Sequence, residues 1–129
     1  MGRDLLGVLV THAALGEELL RTAEGILGPQ SDIVVISNAG TSLETLSEKV
    51  DSAIAVHREG VIFLFVDLVG GSCSQACLRI RHRHPDTVVF SGVNLPMFLE
   101  FLYHRGRVTV TELSERLLAK GREGIQRIR

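Results

Sequence analysis

The sequence predicts an α/β fold with a doubly wound, mainly parallel open sheet and helices on both of its faces. Short apolar runs of strand length alternate along the chain with segments whose apolar residues recur at helical spacing. The strongest run, residues 61–66, contains no polar residue, which is typical of a parallel strand buried on both faces. The loops between the segments are short, and the alternation of strands with helices favours right-handed βαβ units.

Two strand–helix pairs are expected in the first half of the chain. The strands are the aliphatic and β-branched runs 5–11 and 33–37. The first helix, 14–27, is amphipathic and is followed by a Gly-Pro stop. In the second helix, Thr41 and Glu44 have the spacing of a capping box. The residues expected to face the core are Leu15, Leu19, Leu20, Ala23, Ile26 and Leu27 in the first helix, and Leu43, Leu46, Val50 and Ile54 in the second.

After the apolar run already described, the second half should contain three helices and one further strand, 87–90. Ser72 is expected to cap the third helix, and Pro96 suits the first position of the fourth. The last helix should begin near Thr111, and the segment 121–129 fits either a helical continuation or a short strand. The inward-facing residues are expected to be Cys73, Ala76, Cys77 and Ile80 in the third helix, and Leu113, Leu117 and Leu118 in the last.

Composition limits the class of protein. The 129 residues are 45% hydrophobic and 22% charged, which predicts a single globular domain over residues 1–129. A net charge of −1 argues against nucleic-acid binding and against attachment to anionic membranes. No apolar run approaches the roughly 18 residues of a membrane span, and no cleavage-site pattern follows the first apolar run. A soluble cytoplasmic protein without membrane insertion is expected.

The two most apolar strands each end at an ionisable residue, His12 after the first and Asp67 after the third. If the strand order reverses beside the first strand, both residues lie at the crevice where such folds bind ligands. A carboxylate that accepts a hydrogen bond from one ring nitrogen fixes the tautomer and orientation of an imidazole. His12 and Asp67 are therefore the candidate catalytic pair. A structural histidine, and an aspartate that only partners the dipole of the next helix, are the alternatives.

A glycine turn follows Asp67. Gly70 and Gly71 allow a sharp turn and a close approach to a ligand, and the N–H groups at a helix N-terminus form an anion site. Gly70, Gly71 and Ser72 are therefore the candidate phosphate-binding residues. A turn of purely structural value has the same composition, and the stretch lacks the lysine of a P-loop. Spacing alone does not identify a reaction.

No metal site and no cofactor are expected. Two cysteines are too few for a four-ligand zinc site or a disulfide scaffold. A helix N-terminus can lower the pKa of a thiol, but Cys73 is more simply interpreted as a core residue. The basic run 79–84 is interpreted as a solvated helix end, with a docking patch as the alternative. Four histidines lack a paired ligand pattern: His57, His82, His84 and His104.

Several blocks of the sequence resemble one protein family. They are Gly7–His12, Asp67–Ser72 and Gly92–Met97, with Gly121–Ile125 near the end. The first three are similar, in order and spacing, to the enzyme IIA domain of the mannose family of the bacterial sugar phosphotransferase system (PTS). The resemblance runs essentially from end to end.

The resemblance implies a doubly wound fold, a homodimer and a phosphoryl carrier. In that family a histidine accepts a phosphoryl group from the phosphocarrier protein HPr and passes it to a IIB component during sugar uptake. The matching histidine is His12, its partner carboxylate is Asp67, and the anion-binding turn is Gly70, Gly71 and Ser72. No metal or nucleotide is required, because donor and acceptor are both nitrogen nucleophiles. Since no IIB sequence follows, a free-standing IIA protein is expected.

The chain departs from the family pattern at the rim of the crevice. Val69 stands where an aromatic residue is common, Cys73 where proline is common and Gln75 where asparagine is common. These departures bear on partner choice more than on chemistry, because the glycines are kept. The alternatives are a regulatory, phosphorylation-dependent binding module without sugar transport, and a dihydroxyacetone-kinase-type phosphotransferase subunit, whose turn differs. A flavodoxin-like small-molecule binder with an incidental His12 is a further one. The sugar is not identifiable from these residues.

Overall fold

The computed structural model describes residues 5–57 and 60–129 and has the expected α/β architecture. Strands and helices alternate along the chain up to a final pair of helices. The strands are β1 (Leu5–Thr11), β2 (Ile33–Ser37), β3 (Val61–Val66) and β4 (Val88–Phe90). The helices are α1 (Leu15–Leu27), α2 (Leu43–Val56), α3 (Gly71–Arg83), α4 (Leu95–His104) and α5 (Val110–Glu123).

All four described strands are parallel and lie in the order β2-β1-β3-β4. From β1 the chain moves to one side through α1, and α2 then carries it back across β1 to β3. The strand order therefore reverses between β1 and β3, which is the predicted switch point. Val10 of β1 lies opposite Val66 of β3, so the residues that follow these two strands leave the sheet side by side.

Two apolar layers cover the sheet. On one face, alternate residues of β1 and β3 pack against α2 and α3, whose buried residues include Leu46, Val50, Cys77 and Ile80. On the other face, the sheet packs against α1, α4 and α5 through Phe63, Phe65, Phe98 and Phe101, among others. Ring centroids in this aromatic cluster are as close as 5.0 Å, for Phe65 and Phe101. Period-2 alternation of strand side chains explains why one strand serves both layers.

Some expectations about the helix faces are wrong. Leu118 of α5 is exposed, whereas Leu113 and Leu117 are fully buried. In α1, Leu15, Ile26 and Leu27 are exposed and only Ala23 of the expected stripe is fully buried. Leu15, Ile26 and Leu27 lie in the first and last turns of α1, and Leu118 lies one position further around α5 than the buried Leu117. The stripe expected in α3 is confirmed throughout.

The helix starts differ by one or two residues from those expected. The N-cap of α2 is Ser42, whose Oγ accepts the N–H of Thr45, so the capping box at Thr41 is wrong. Thr41 instead donates its hydroxyl to the carbonyl of Asn38. Helix α4 begins at Leu95 with Asn94 as its N-cap, so Pro96 occupies the second helical position.

The last segment is helical as far as Glu123, and residues 125–129 belong to neither a helix nor a strand. The basic side chains of the run 79–84 are exposed at the end of α3, as interpreted, whereas Ile80 within the run is buried. Arg83 pairs with Asp51 of α2 at 2.8 Å. Among the residues described, no helix is both long and apolar enough to cross a membrane.

Candidate functional site

The carboxyl ends of β1 and β3 bring His12 and Asp67 into direct contact. Nδ1 of the His12 ring lies 2.9 Å from Oδ2 and 3.2 Å from Oδ1 of Asp67. The backbone N–H of His12 also donates to Oδ2, at 2.9 Å. The register of the two parallel strands brings His12 and Asp67 together. Val10 lies opposite Val66, and each strand continues from there to its ionisable residue.

Asp67 is held as a carboxylate. Its side chain is only 7% exposed. Burial raises the pKa of this carboxyl, but the hydrogen bonds from the His12 backbone and ring outweigh burial, so the pKa lies below its ordinary value. The N–H of Leu68 donates to Oδ1 at 3.0 Å, so each oxygen accepts a backbone donor.

The His12 ring is oriented by this carboxylate. An ionised carboxylate only accepts hydrogen bonds, so Nδ1 carries the proton and donates it. In the neutral ring, Nε2 then keeps its lone pair. The side chain of His12 is 43% exposed, so the pair combines a buried anchor with a ring that solvent and partners reach. This arrangement suits a nucleophilic nitrogen.

The loop between β1 and α1 holds His12 through contacts that the sequence motifs do not reveal. Thr11 is fully buried, and its Oγ1 accepts the N–H of Gly16 at 2.8 Å, in place of a side-chain cap on α1. A Cβ at Gly16 would lie 2.7 Å from that oxygen, so glycine is needed there. Asn38, after β2, accepts the N–H of Ala13 through Oδ1 at 3.3 Å. Its own backbone N–H donates to the carbonyl of Thr11 at 3.0 Å.

The glycine turn has the expected backbone and a different cap. Gly70 and Gly71 have φ values of 86° and 85°, in the left-handed region that glycine adopts readily. The N-cap of α3 is Gly70, so Ser72 is not the cap. Ser74 accepts the N–H of Gly70 through Oγ at 2.9 Å. Gly71 and Ser72 are the first two residues of the helix, where backbone N–H groups have no intrahelical acceptor.

Comparison with known proteins assigns the family. The family model described as "PTS system fructose IIA component", EIIA-man, matches residues 7–118. The chain belongs to the EIIA-man family. The suspected resemblance is therefore confirmed, and the chain is a component of the EIIA class of phosphotransferase proteins.

Relatives and solved structures agree with that membership. The "PTS system mannose-specific EIIAB component" of Escherichia coli (strain K12) is 37% identical over 126 residues, covering 95% of this chain. This chain spans 39% of the length of that relative. The crystal structure of an EIIA component from Streptococcus agalactiae superposes with a TM-score of 0.87 at 25% identity, over 95% of this chain and 96% of that one. A mannose/sorbose specific IIA subunit from Enterococcus faecalis gives 0.84 at 25% identity, over 100% and 96% of the two chains.

Asn94 connects the two other sequence blocks that resemble the family, Gly92–Met97 and Gly121–Ile125. Asn94 donates through Nδ2 to the carbonyl of Gly121 at 2.9 Å, and its Oδ1 accepts the N–H of Met97 at 3.0 Å. The N–H of Val93 donates to the carbonyl of Val66, next to Asp67. The loop before α4 therefore lies at the same sheet edge as the His12–Asp67 pair and connects that edge to the end of α5.

The interpretation of Cys73 as a core residue is confirmed for this EIIA chain. Cys73 and Cys77 are both fully buried between α3 and the sheet. Burial raises the pKa of the Cys73 thiol to about 11, with a further increase from the charge of Asp67. Burial likewise raises the pKa of Cys77 to about 12. Neither thiol is ionised at neutral pH without a further partner.

Proposed function

We propose that this EIIA chain is a phosphoryl carrier of a sugar phosphotransferase system. His12 accepts the phosphoryl group from phospho-HPr and passes it to a IIB component. The observation that carries the proposal is the contact of 2.9 Å between Nδ1 of a half-exposed His12 and the buried carboxylate of Asp67. It leaves Nε2 as the ring nitrogen that attacks.

In the proposed transfer, the Nε2 lone pair of His12 attacks phosphorus in line with the bond to the donor histidine. The new N–P bond forms as the donor N–P bond breaks, and the donor ring keeps the electron pair of its former bond. Positive charge that develops on the His12 ring is stabilised by Asp67 through the Nδ1 proton. The N–H groups of Gly71 and Ser72 stabilise the phosphoryl oxygens, assisted by the dipole of α3. Transfer between two imidazoles is close to balanced in energy, so it is reversible.

An apolar rim beside His12 supports docking of protein partners. Leu68 and Val69, next to Asp67, are exposed, and Val69 is 75% exposed. Leu15 follows His12 in the chain and is also exposed, and its N–H donates to the carbonyl of His12. Exposed aliphatic side chains around a reactive group favour a protein partner over a small solute. The residue types at this rim help to determine which HPr or IIB protein docks. Val69 stands there in place of the aromatic residue that is common in the family.

We also propose a homodimer. The described segment 125–129 lies outside the helices and strands and carries Ile125 and Ile128, which are 80% and 91% exposed. Contact with a second copy of the chain would remove these side chains from water. β4 lies at an edge of the sheet, where a second copy could also pair with it.

The direct test is phosphorylation in a mixture of phosphoenolpyruvate, enzyme I and HPr, followed by intact-mass measurement. Wild-type protein is expected to gain one acid-labile phosphoryl group, and His12→Ala to gain none. His84→Ala is the matched control, because His84 is an exposed histidine at the far end of α3. Its uptake should equal that of the wild type.

The outcomes separate the candidate functions. Phosphate that still reaches His12→Ala would refute the assigned residue. No mass gain by folded wild-type protein would refute the carrier function. Uptake by the wild type without onward transfer to a IIB component would favour the regulatory, phosphorylation-dependent module.

A further inference from the structure

A third side chain reaches the His12–Asp67 pair. Sγ of Cys73, in the first turn of α3, lies 3.9 Å from Nδ1 of His12. Nδ1 of His12, a carboxylate oxygen of Asp67 and Sγ of Cys73 all lie within 4.8 Å of one another. Cys73 is interpreted from the sequence as a core residue, and its proximity to His12, 61 positions away, is seen only in the structure.

We propose that His12, Asp67 and Cys73 together bind Zn²⁺, and that the bound ion prevents His12 from accepting a phosphoryl group. Imidazole nitrogen, carboxylate oxygen and thiolate sulfur are the three ligand types that zinc takes in proteins. The binding site is independent of the carrier function, whereas its effect on phosphoryl acceptance rests on the proposed function.

The distances suit a tetrahedral ion. Zinc bonds of the usual length hold ligand atoms about 3.3–3.6 Å apart. Nδ1 of His12 lies 2.9 Å and 3.2 Å from the two oxygens of Asp67 and 3.9 Å from Sγ of Cys73, values on both sides of that range. Small rotations of the side chains would therefore admit the ion. Each oxygen of Asp67 accepts one backbone N–H and retains a lone pair for the metal.

Access and charge also suit a zinc ion. The His12 side chain is partly exposed whereas Asp67 and Cys73 are buried, so the cluster opens to solvent on one side. Three protein ligands and an open fourth position are the usual pattern of a reactive zinc site. The carboxylate and the thiolate balance the charge of the ion. The raised pKa of Cys73 opposes binding, because the ion must displace the thiol proton, but coordination itself supplies the driving force.

Zinc binding and phosphoryl acceptance would compete for one ring. The ion takes the place of the proton on Nδ1, and the neutral ring then carries that proton on Nε2. The lone pair that attacks phosphorus is thereby lost. The Cys73 thiol releases its proton to solvent, and no oxidation or reduction takes place.

The binding test uses the whole chain, titrated with zinc against a chromophoric chelator and, separately, with Co²⁺. We expect one ion per chain and the near-ultraviolet absorption of a thiolate–cobalt bond. Cys73→Ser should lose that absorption and bind zinc about tenfold more weakly or worse. Cys77→Ser is the matched control, since Cys77 is equally buried one helical turn away, and it should bind as the wild type does. Equal affinity in Cys73→Ser, or loss of binding in His82→Ala instead, would overturn the site.

The second arm measures phosphoryl uptake from HPr with and without zinc. Zinc should suppress uptake by the wild type and by Cys77→Ser but leave uptake by Cys73→Ser unchanged. The Cys73→Ser reaction also controls for zinc acting on enzyme I or HPr. Equal suppression in all three proteins would overturn the competition. Absence of uptake without zinc would refute the carrier function, while the chelator titration still decides the metal site.

Discussion

Asp67 accepts hydrogen bonds from two backbone N–H groups and also carries the charge that faces the His12 ring. A substitution by asparagine keeps the shape of the side chain and removes its charge. Its two oxygens accept the backbone N–H groups of His12 and Leu68 and also face the His12 ring. A carboxylate meets all of these donors because it has no hydrogen of its own. An amide has one accepting atom only, so one donor loses its acceptor in Asp67→Asn.

We expect Asp67→Asn to slow phosphoryl uptake by roughly 10- to 100-fold, because the charge that orients and stabilises the ring is lost. The lost acceptor should also lower the free energy of unfolding by about 1–3 kcal/mol. Initial uptake rates and urea unfolding measure the two effects. Asp86→Asn, an exposed change in the loop after α3, should alter neither. An unchanged uptake rate in folded Asp67→Asn would contradict the role of the carboxylate.

Ala13 is the residue next to His12 and has a φ of 49°, in the left-handed region. A side chain there costs about 1–2 kcal/mol, and glycine offsets part of this gain through its greater freedom in the unfolded chain. We expect Ala13→Gly to raise the free energy of unfolding by about 0.5–1 kcal/mol. Urea unfolding checks the value. Ala39→Gly, an exposed alanine without a positive φ, should give no such gain, and an equal gain there would contradict the explanation.

The space around a glycine depends on what packs against it, as Gly7 and Gly25 show. A Cβ at Gly7 of β1 would lie 2.8 Å from the ring of Phe101, which is fixed within the aromatic cluster. A Cβ at Gly25 in the last turn of α1 would meet nothing within 4 Å.

Gly7→Ala should therefore destabilise the fold by about 1–3 kcal/mol through overpacking. Gly25→Ala should stabilise it by about 0.5–1 kcal/mol, because alanine favours the helix. Thermal and urea unfolding of the two variants, measured side by side, test the pair. Stabilisation by Gly7→Ala would mean that the rings on this face can move.

Elements that depend on local composition were predicted well, and features that depend on contacts with other parts of the chain were predicted less well. β2 and β3 span the residues predicted for them. For β3 the reason is local, because a strand buried on both faces is an unbroken apolar run. The N-cap of α2 was misplaced by one residue, since Thr41 and Ser42 are both capable caps and the carbonyl of Asn38 takes the Thr41 hydroxyl. Leu118 was assigned to the core because helical spacing does not show which side of α5 faces α4, the helix it packs against.

The same reasoning applies to the candidate site. The meeting of His12 and Asp67 was predictable, because two strand ends and a strand-order rule suffice to bring them together. Asn38, Ser74 and Cys73 were not assigned to it, because their contacts depend on side-chain directions in loops and in the first turn of α3. The His12–Asp67 contact was thus predictable from the sequence, whereas the contacts that hold the pair in position depend on the three-dimensional arrangement of the loops.

At the scale of the whole molecule, the described segment after α5 exposes two isoleucines to solvent. Asn94 and Gly121 fix the end of α5 against the start of α4, and the chain then continues into residues 125–129. Ile125 and Ile128 project from this segment into solvent. Because neither contributes to the core, charged substitutions there should change association and leave the fold intact.

We expect the wild type to sediment as a dimer, and Ile125→Asp and Ile128→Asp each to raise the dimer Kd by about tenfold or more. Burying one such side chain contributes about 1.5–3 kcal/mol, and a factor of ten corresponds to about 1.4 kcal/mol. Val56→Asp, at an exposed aliphatic residue at the end of α2, should leave the dimer unchanged. Analytical ultracentrifugation over a concentration series measures all four proteins. A wild type that stays monomeric at every concentration would exclude the dimer, and equal dissociation of Val56→Asp would exclude this segment as its interface.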